Sequence, residues 1–135
     1  MLQIAGCPCI TVVQAAFDWI DEIAPQRLLL VTPYLDELNE RMRATFCTAG
    51  MPVSEVVGMG FDDDLDIGAV PPQKIHEFVV ESARAMNPGP DCVFVSCTTF
   101  QAFEAAEGLE EELGIPVVTS NRGVFRALMR HFHEE

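Results

Sequence analysis

The sequence is poor in basic residues. Its 135 residues include eight Lys and Arg against 21 Asp and Glu, which gives a formal net charge of −13. A negative field of this size repels nucleic acid and anionic membrane surfaces, so we predict neither as a partner. It also repels carboxylates at long range, so an anion site in this chain would depend on local N–H groups.

The sequence also lacks a long hydrophobic run. None approaches the roughly 20 apolar residues that span a bilayer, and the N-terminus has neither the basic region nor the apolar core of a signal peptide. We therefore predict a cytoplasmic protein, whose five cysteines are expected to be reduced. With 49% hydrophobic and 21% charged residues, the chain suits a single globular domain over residues 1–135.

Signatures of phosphate and metal binding are missing as well. Gly58-Met59-Gly60 is followed by an acidic segment and not by the helix start of a phosphate loop. That segment carries four aspartates without the spacing of a calcium-binding EF-hand loop: Asp62, Asp63, Asp64 and Asp66. The remaining metal-ligand candidates match no common zinc pattern: Cys7, Cys9, His131 and His133. We predict no metal site and a solvated loop over residues 61–68.

Helix and strand patterns alternate along the chain. Residues 6–9 are predicted to form a turn and residues 11–23 a helix. Four strands follow, at residues 27–31, 53–59, 92–95 and 115–118. Each is followed by a helix, at residues 35–48, 71–86, 100–113 and 122–131. This alternation predicts an α/β fold, a three-layer sandwich with a four-stranded parallel sheet between helices.

The strand over residues 92–95 ends in Ser96, Cys97, Thr98 and Thr99. In an open α/β sheet, ligands bind beyond the carboxyl ends of the strands, where helix N-termini attract anions and lower the pKa of a thiol. Cys97 is therefore a candidate catalytic residue. A buried structural cysteine is the alternative, because free cysteine also packs as a small hydrophobic residue.

Polar residues follow other strands too. Thr32 and Tyr34 follow the first strand, and the fourth is followed by Thr119, Ser120 and Asn121. In a doubly wound sheet of order 2-1-3-4, the first and third strands flank the point where the connections diverge. We therefore expect Tyr34 and Cys97 to face one crevice.

Three segments together carry a family resemblance: Thr32-Pro33-Tyr34, residues 93–99 and residues 113–121. Their sequences and separations resemble the C-terminal half of the aspartate/glutamate racemase superfamily, in particular its maleate isomerase and arylmalonate decarboxylase branch. The resemblance covers nearly the whole chain. It implies that residues 1–135 correspond to one half of the two-domain racemase fold, with the sheet order 2-1-3-4.

The resemblance also implies a function. It indicates a cofactor-independent decarboxylase or isomerase of a small carboxylic acid, in which Cys97 transfers a proton or adds to an alkene. Tyr34 matches the tyrosine that hydrogen-bonds the substrate carboxylate. The other residues that the resemblance places at the substrate are Thr32, Pro33, Thr98, Thr99, Ser120 and Asn121.

The chain departs from the family pattern in two respects. Family members are about twice as long and carry a second catalytic residue in their first half, and Asp64 stands nearest to an asparagine of the isomerases. We therefore predict a homo-oligomer, in which two Cys97 residues could come to one cleft. The alternative is a catalytically incomplete half-domain that folds and associates without turnover.

Overall fold

The computed structural model describes residues 2–4 and 6–134, with the side chains of residues 9–133. The strands are β1 Leu2–Ile4, β2 Cys7–Cys9, β3 Leu28–Thr32, β4 Val53–Gly58, β5 Cys92–Val95 and β6 Val117–Thr119. The helices are α1 Val12–Ile23, α2 Asp36–Thr48, α3 Asp64–Gly68, α4 Pro72–Ala85, α5 Ala102–Leu113 and α6 Ser120–Glu134.

Strands β3 to β6 form one parallel sheet in the spatial order β4-β3-β5-β6. Leu28 of β3 pairs with Val53 on one side and with Cys92 on the other, and Val93 of β5 pairs with Val117. Numbered along the chain, the four strands of this sheet have the order 2-1-3-4. The predicted fold class and strand order are therefore confirmed.

The sheet is covered on both faces. On one face, Leu29, Val31 and Val93 pack against apolar residues of α4 and α5. On the other face, Leu28 and Phe94 pack against residues of α1 and α2. All five residues of β3 are buried, which explains why this strand reads as a continuous aliphatic run and does not alternate.

Local signals set the helix ends. The side chain of Thr11 accepts a hydrogen bond from the amide of Gln14 at 3.0 Å and so caps α1, as its position before the apolar repeat predicts. Pro72 stands in the first turn of α4, where its missing N–H costs no hydrogen bond. Gly114 ends α5 in the left-handed conformation, at φ 70°.

Three sequence predictions are wrong. Residues 7–9, predicted as part of a turn, form strand β2, which pairs with β1 in an antiparallel hairpin. The segment 61–68, predicted as a loop, contains helix α3, because the Asp63 carboxylate caps it by accepting from the amide of Leu65 at 2.7 Å. Helix α6 begins at Ser120, two residues before its predicted start.

Two broader features follow from the described residues. Over residues 2–4 and 6–134, no helix is long and apolar enough to cross a membrane. Within that same part of the chain, no three side chains of His, Cys, Asp or Glu are grouped so that they could hold a metal ion.

Asp91 joins the starts of β3 and β5. Its carboxylate accepts hydrogen bonds of 2.8 Å from the amides of Gln26 and Arg27. Partial burial raises the pKa of Asp91, but these two bonds and the charge of Arg27 outweigh it, so the pKa lies below its usual value. The ionised form is therefore the one that stabilises the folded chain.

We expect Asp91→Asn to lower the free energy of unfolding by about 1–2 kcal/mol at neutral pH, because charge-assisted hydrogen bonds are lost. Since the folded pKa is depressed, this stabilisation is present above the unfolded pKa of about 3.9 and is lost as pH falls through the folded value. Urea unfolding of both proteins between pH 7 and pH 3 measures the difference. A difference that stays constant down to pH 3 would contradict this account.

Candidate active site

The candidate site lies where β3 and β5 end side by side. The connection after β3 leads outward to β4, and the connection after β5 leads in the opposite direction to β6. Such a divergence opens a crevice at the carboxyl ends of the two strands. Tyr34 follows β3 and Cys97 follows β5, and their side chains lie close enough for Cys97 to raise the pKa of Tyr34.

Tyr34 is half-buried beside the cysteine. Burial raises the pKa of Tyr34 well above its ordinary value, and the hydrogen bond with Cys97 raises it further. A hydrogen bond with the side chain of Ser96 acts in the opposite direction but does not cancel these effects. The phenol therefore stays protonated at neutral pH and can serve as a hydrogen-bond donor within the crevice.

Cys97 has an unusual backbone conformation. Its φ is +97°, a region that residues with a side chain rarely adopt. The amide of Cys97 donates a hydrogen bond of 3.1 Å to Oγ of Ser120, the first residue of α6. This bond helps to hold the strained residue at the end of β5, and strain of this kind is frequent at functional sites.

The segment that carries Tyr34 is fixed by hydrogen bonds of the two residues before it. Thr32 is fully buried, its hydroxyl donates to Oδ1 of Asn39, and it accepts from the amide of Tyr34 at 3.1 Å. Pro33 is also buried, and its carbonyl accepts from the amide of Phe61 at 2.8 Å. The side chains of Thr32 and Pro33 thus lie beneath the crevice, where they fix the position of Tyr34.

Thr98 and Thr99 are exposed at the mouth of the site. The carbonyl of Thr98 accepts a hydrogen bond of 3.0 Å from Nδ2 of Asn121, which ties this loop to α6. Among the residues that the structure describes, no acceptor lies in hydrogen-bonding position to the amides of Thr98 and Thr99. These two N–H groups are available to an anion beside Cys97.

The loop between Cys97 and α5 is anchored at its far end. Gln101 donates from Nε2 to the carbonyls of Gly68 at 2.8 Å and Val70 at 3.1 Å, so it links the loop to the end of α3. Phe100 is 2% exposed and packs in the core beneath the loop. The sequence offers no pattern that would single out Gln101, because its partners lie more than 30 residues away.

One wall of the crevice is acidic. A cavity of about 280 Å³ lies next to Tyr34, and Asp62 and Asp64 are among its lining residues. The charge of Asp64 contributes to the raised pKa of Tyr34. No Lys or Arg lines this cavity. A carboxylate bound against this wall would therefore meet the phenol of Tyr34, a neutral donor, and no cation.

Cys92 differs from Cys97 in its position and in its burial. It is completely buried within β5, and burial raises its pKa to about 12. The thiol is thus protonated and shielded, as expected for a core cysteine. Of the two cysteines around β5, only Cys97 lies at the crevice.

Sequence reasoning missed two residues of this site. Ser96 is 8% exposed, and its side chain lies close enough to the phenol of Tyr34 to lower its pKa. Asn39 is 4% exposed and holds Thr32 from α2. The available signal for Asn39 was its place three and seven residues before the apolar Met42 and Phe46, on the same helical face, because buried polar groups need partners.

Comparison with known proteins agrees with this architecture. The family model described as arylmalonate decarboxylase matches residues 1–135. The chain belongs to the arylmalonate decarboxylase family. This membership confirms the resemblance to the maleate isomerase and arylmalonate decarboxylase branch.

Individual members of the arylmalonate decarboxylase family and related structures are longer than this chain. Arylmalonate decarboxylase from Bordetella bronchiseptica is 26% identical over 125 residues, which are 93% of this chain and 52% of that protein. A crystal structure of arylmalonate decarboxylase superimposes with a TM-score of 0.81 at 26% identity, over 93% of this chain and 54% of the other. The chain thus spans about half the length of the curated relatives it matches.

A maleate cis-trans isomerase shares the same fold. The enzyme from Nocardia farcinica, solved as a mutant with a covalently bound succinylcysteine intermediate, superimposes with a TM-score of 0.78 at 23% identity. The alignment covers 90% of this chain and 49% of that one. At this identity the similarity establishes the common fold.

Proposed function

We propose that this chain forms the cysteine-bearing half of a cofactor-independent decarboxylase or isomerase of a small carboxylic acid. The observation that carries the proposal is the interaction of the Tyr34 and Cys97 side chains at the point where the sheet connections diverge. A protonated phenol beside a thiol supports this reaction class. Membership of the arylmalonate decarboxylase family supports the same reaction class.

In the decarboxylation, the bond between the α-carbon and one carboxylate carbon breaks and CO2 leaves. The electron pair of that bond passes into the remaining carboxylate and forms an enediolate. Tyr34 and the amides of Thr98 and Thr99 donate hydrogen bonds to this anion, whose negative charge would otherwise be poorly solvated in a crevice. The Cys97 thiol then gives its proton to the α-carbon, and the thiolate recovers a proton from water.

In the isomerisation, the Cys97 thiol instead gives its proton to water, and the resulting thiolate adds to one carbon of the alkene. The π electron pair moves toward the adjacent carboxylate, the carbon–carbon bond becomes single and rotates, and expulsion of the thiolate restores the double bond. The succinylcysteine in the Nocardia isomerase structure was captured in a mutant from which another cysteine had been removed, so it does not identify a counterpart of Cys97. Both reactions need the same cysteine and the same anion donors.

The remaining predicted site residues divide by position. Thr98 and Thr99 lie at the crevice and bind through their amides. The other four position neighbouring residues: Thr32 and Pro33 fix the segment of Tyr34, Ser120 accepts from the Cys97 amide and Asn121 donates to the Thr98 carbonyl.

The second candidate function is that of a half-domain that folds without turnover. Two observations favour it: the chain matches about half of its relatives, and the wall beside Tyr34 carries Asp62 and Asp64 with no cation. Negative charge there opposes a dicarboxylate substrate. Under this alternative the site geometry persists but a second half is absent from the cleft.

Proton NMR in D2O tests the proposal. The purified chain is incubated with maleate, arylmalonates, aspartate, glutamate and hydantoins in turn, and deuterium incorporation and product are followed. We expect turnover of at least one compound, lowered about 10- to 100-fold in Tyr34→Phe because one hydrogen bond to an anion is lost. Circular dichroism of the variant confirms that it is folded.

The outcomes separate the two candidates. No reaction with any compound, in a chain with an intact thermal transition, would favour the half-domain without turnover. Turnover that Tyr34→Phe leaves unchanged would keep the reaction class but remove Tyr34 from the anion-binding groups.

A further inference from the structure

Gln101 stands at the end of the loop over residues 97–100. It occupies the N-cap position of α5, where the side chain of Ser, Thr, Asp or Asn usually accepts a hydrogen bond from an amide of the first helical turn. The Gln101 side chain makes no such bond. It donates instead to the carbonyls of Gly68 at 2.8 Å and Val70 at 3.1 Å. The residue therefore serves a tertiary contact and leaves its own helix without a side-chain cap.

The two carbonyls that Gln101 binds lie at the end of α3. Carbonyls in this position have no partner within their helix, so they need a donor from elsewhere. Gln101 is their donor, and no other is found among the hydrogen bonds of residues 6–134. A side-chain amide carries two N–H groups, which matches the two acceptors. The contact therefore depends on a donor group and not on side-chain size alone.

The same contact brings α3 against the Cys97 loop. A Cβ added at Gly68 would lie 3.4 Å from Cγ2 of Thr99, so the helix and the loop already pack closely there. Phe100 and Ile67 belong to one buried cluster beneath them. Residues of the segment 61–68 also line the cavity next to Tyr34. Gln101 therefore fixes how the Cys97 loop stands relative to that wall of the crevice.

Helix α6 holds the other side of the loop. Ser120 accepts from the amide of Cys97, and Asn121 donates to the carbonyl of Thr98. Between these bonds and Gln101, the amides of Thr98 and Thr99 have no acceptor within the described part of the chain. A loop with few hydrogen bonds of its own keeps one conformation only through such anchors.

We infer that Gln101 is a positioning residue of the candidate site, which holds the amides of Thr98 and Thr99 where they bind a carboxylate. The inference rests on the proposed function, because that function assigns these amides to the substrate anion. Donors that are fixed before an anion binds stabilise it without the cost of ordering them at that moment. A residue that served only the stability of α5 would cap this helix, and Gln101 does not.

Gln101→Glu tests the anchor, because it keeps the shape of the side chain and replaces its donors with acceptors. Carboxylate oxygens would then face the carbonyls of Gly68 and Val70, so we expect the loop to separate from α3. ¹⁵N relaxation of the labelled chain measures the result. The heteronuclear NOE of the Thr98 and Thr99 amides should match that of the helices in the wild-type chain and fall to that of a flexible segment in the variant.

Gln101→Ser is the second variant, because serine is a good N-cap and is too short to reach α3. It should fold with α5 intact, as circular dichroism shows, and release the loop in the same way. Gln14→Glu is the matched control, because the Gln14 side chain donates to Asp18 of the same helix on the protein surface. This control should leave the loop amides ordered.

A titration with phenylacetate tests the role in the site without requiring turnover. Phenylacetate is the product that decarboxylation of phenylmalonate would leave, and we expect it to shift the Thr98 and Thr99 amide signals of the wild-type chain. Its Kd should rise at least about tenfold in both Gln101 variants, since hydrogen bonds to a charged group are weakened. Gln101→Ser adds no charge, so repulsion does not explain the loss in that variant. A purely structural role would lower the folded fraction but leave the Kd of the folded chain unchanged.

Three results would overturn the inference: loop amides that stay ordered in both Gln101 variants, mobile amides with an unchanged Kd, and a wild-type chain whose loop amides do not respond to phenylacetate. A wild-type chain that binds phenylacetate through these amides but converts no substrate would contradict the proposed function alone. The two failures are therefore distinguishable.

Discussion

Replacing Cys97 with alanine is expected to abolish turnover, with a loss of about 10²- to 10⁴-fold, the range that a positioned proton donor contributes. Two of the other described cysteines lie where they cannot take over. Cys92 is buried with a pKa raised to about 12, and Cys47 lies on α2 at the protein surface. Deuterium incorporation in D2O, with the substrate that the wild-type chain converts, measures the effect. Cys47→Ala is the matched control and should retain full activity.

A second variant distinguishes a catalytic cysteine from a packing residue. Cys97→Gly removes the thiol but suits the backbone, because glycine adopts a φ of +97° without strain. We expect it to lose activity as Cys97→Ala does, while its free energy of unfolding rises by about 1 kcal/mol through relief of strain. Chemical denaturation measures the change.

The opposite pattern would identify a structural role. If Cys97 serves mainly to pack, Cys97→Gly loses contacts and becomes less stable, as large-to-small replacements in a packed site do. Activity retained in both Cys97 variants would remove this residue from the mechanism. A strained residue that the chain keeps at a cost in stability is otherwise best explained by function.

The sheet could be predicted from the sequence because its signals are local and repeated. The runs around Leu30 and Phe94 are continuous and apolar, and helical patterns of sufficient length separate them. Right-handed crossovers then leave few topologies, and the observed order β4-β3-β5-β6 is among them. The same topology brings Tyr34 and Cys97 together, although 62 residues separate them in the sequence.

The short elements could not be predicted for a different reason. Strands β1 and β2 have three residues each, too few for an alternating pattern, and Pro8 in β2 is a residue that favours turns. Helix α3 has five residues and begins within a run of aspartates. Its N-cap, Asp63, belongs to the same acidic run that indicated a solvated loop.

The contacts that shape the site could not be predicted from the sequence either. Two contacts join residues that follow different strands. The Cys97 amide donates to Ser120, and Ser96 interacts with Tyr34. The positive φ of Cys97 has no signature, since it occurs at a residue that is not glycine. Sequence patterns place residues at a strand end, and tertiary contacts decide how they face one another there.

Gly58 shows how closely the supporting contacts are packed. It is the last residue of β4 and lies opposite Thr32 in the sheet. A Cβ at this position would clash with the side-chain amide of Asn39 and the carbonyl oxygen of Tyr34, because it would lie far closer to both than non-bonded atoms approach. Thr32, Asn39 and Tyr34 already form one hydrogen-bonded unit. Only glycine therefore allows β4 to approach the segment that carries Tyr34.

We expect Gly58→Ala to lower the free energy of unfolding by about 1–3 kcal/mol, the usual cost of overpacking. For a chain of this size that corresponds to a decrease of roughly 3–11 °C in Tm. The added methyl group must push the Tyr34 backbone away from β4, so any turnover should fall together with the stability. Differential scanning calorimetry and the D2O assay measure the two effects.

Gly108→Ala is the matched control and should act in the opposite direction. Gly108 is exposed within α5, and a Cβ there would lie at an ordinary 3.6 Å from the His76 ring. Alanine is the better helix former by roughly 0.5–1 kcal/mol, so this variant should be more stable than the wild-type chain. If both variants behave alike, the loss at Gly58 reflects no specific contact, and the supporting role of the unit around Asn39 is wrong. If Gly58→Ala is less stable and Gly108→Ala more stable, the contacts beneath Tyr34 limit what the end of β4 can accept.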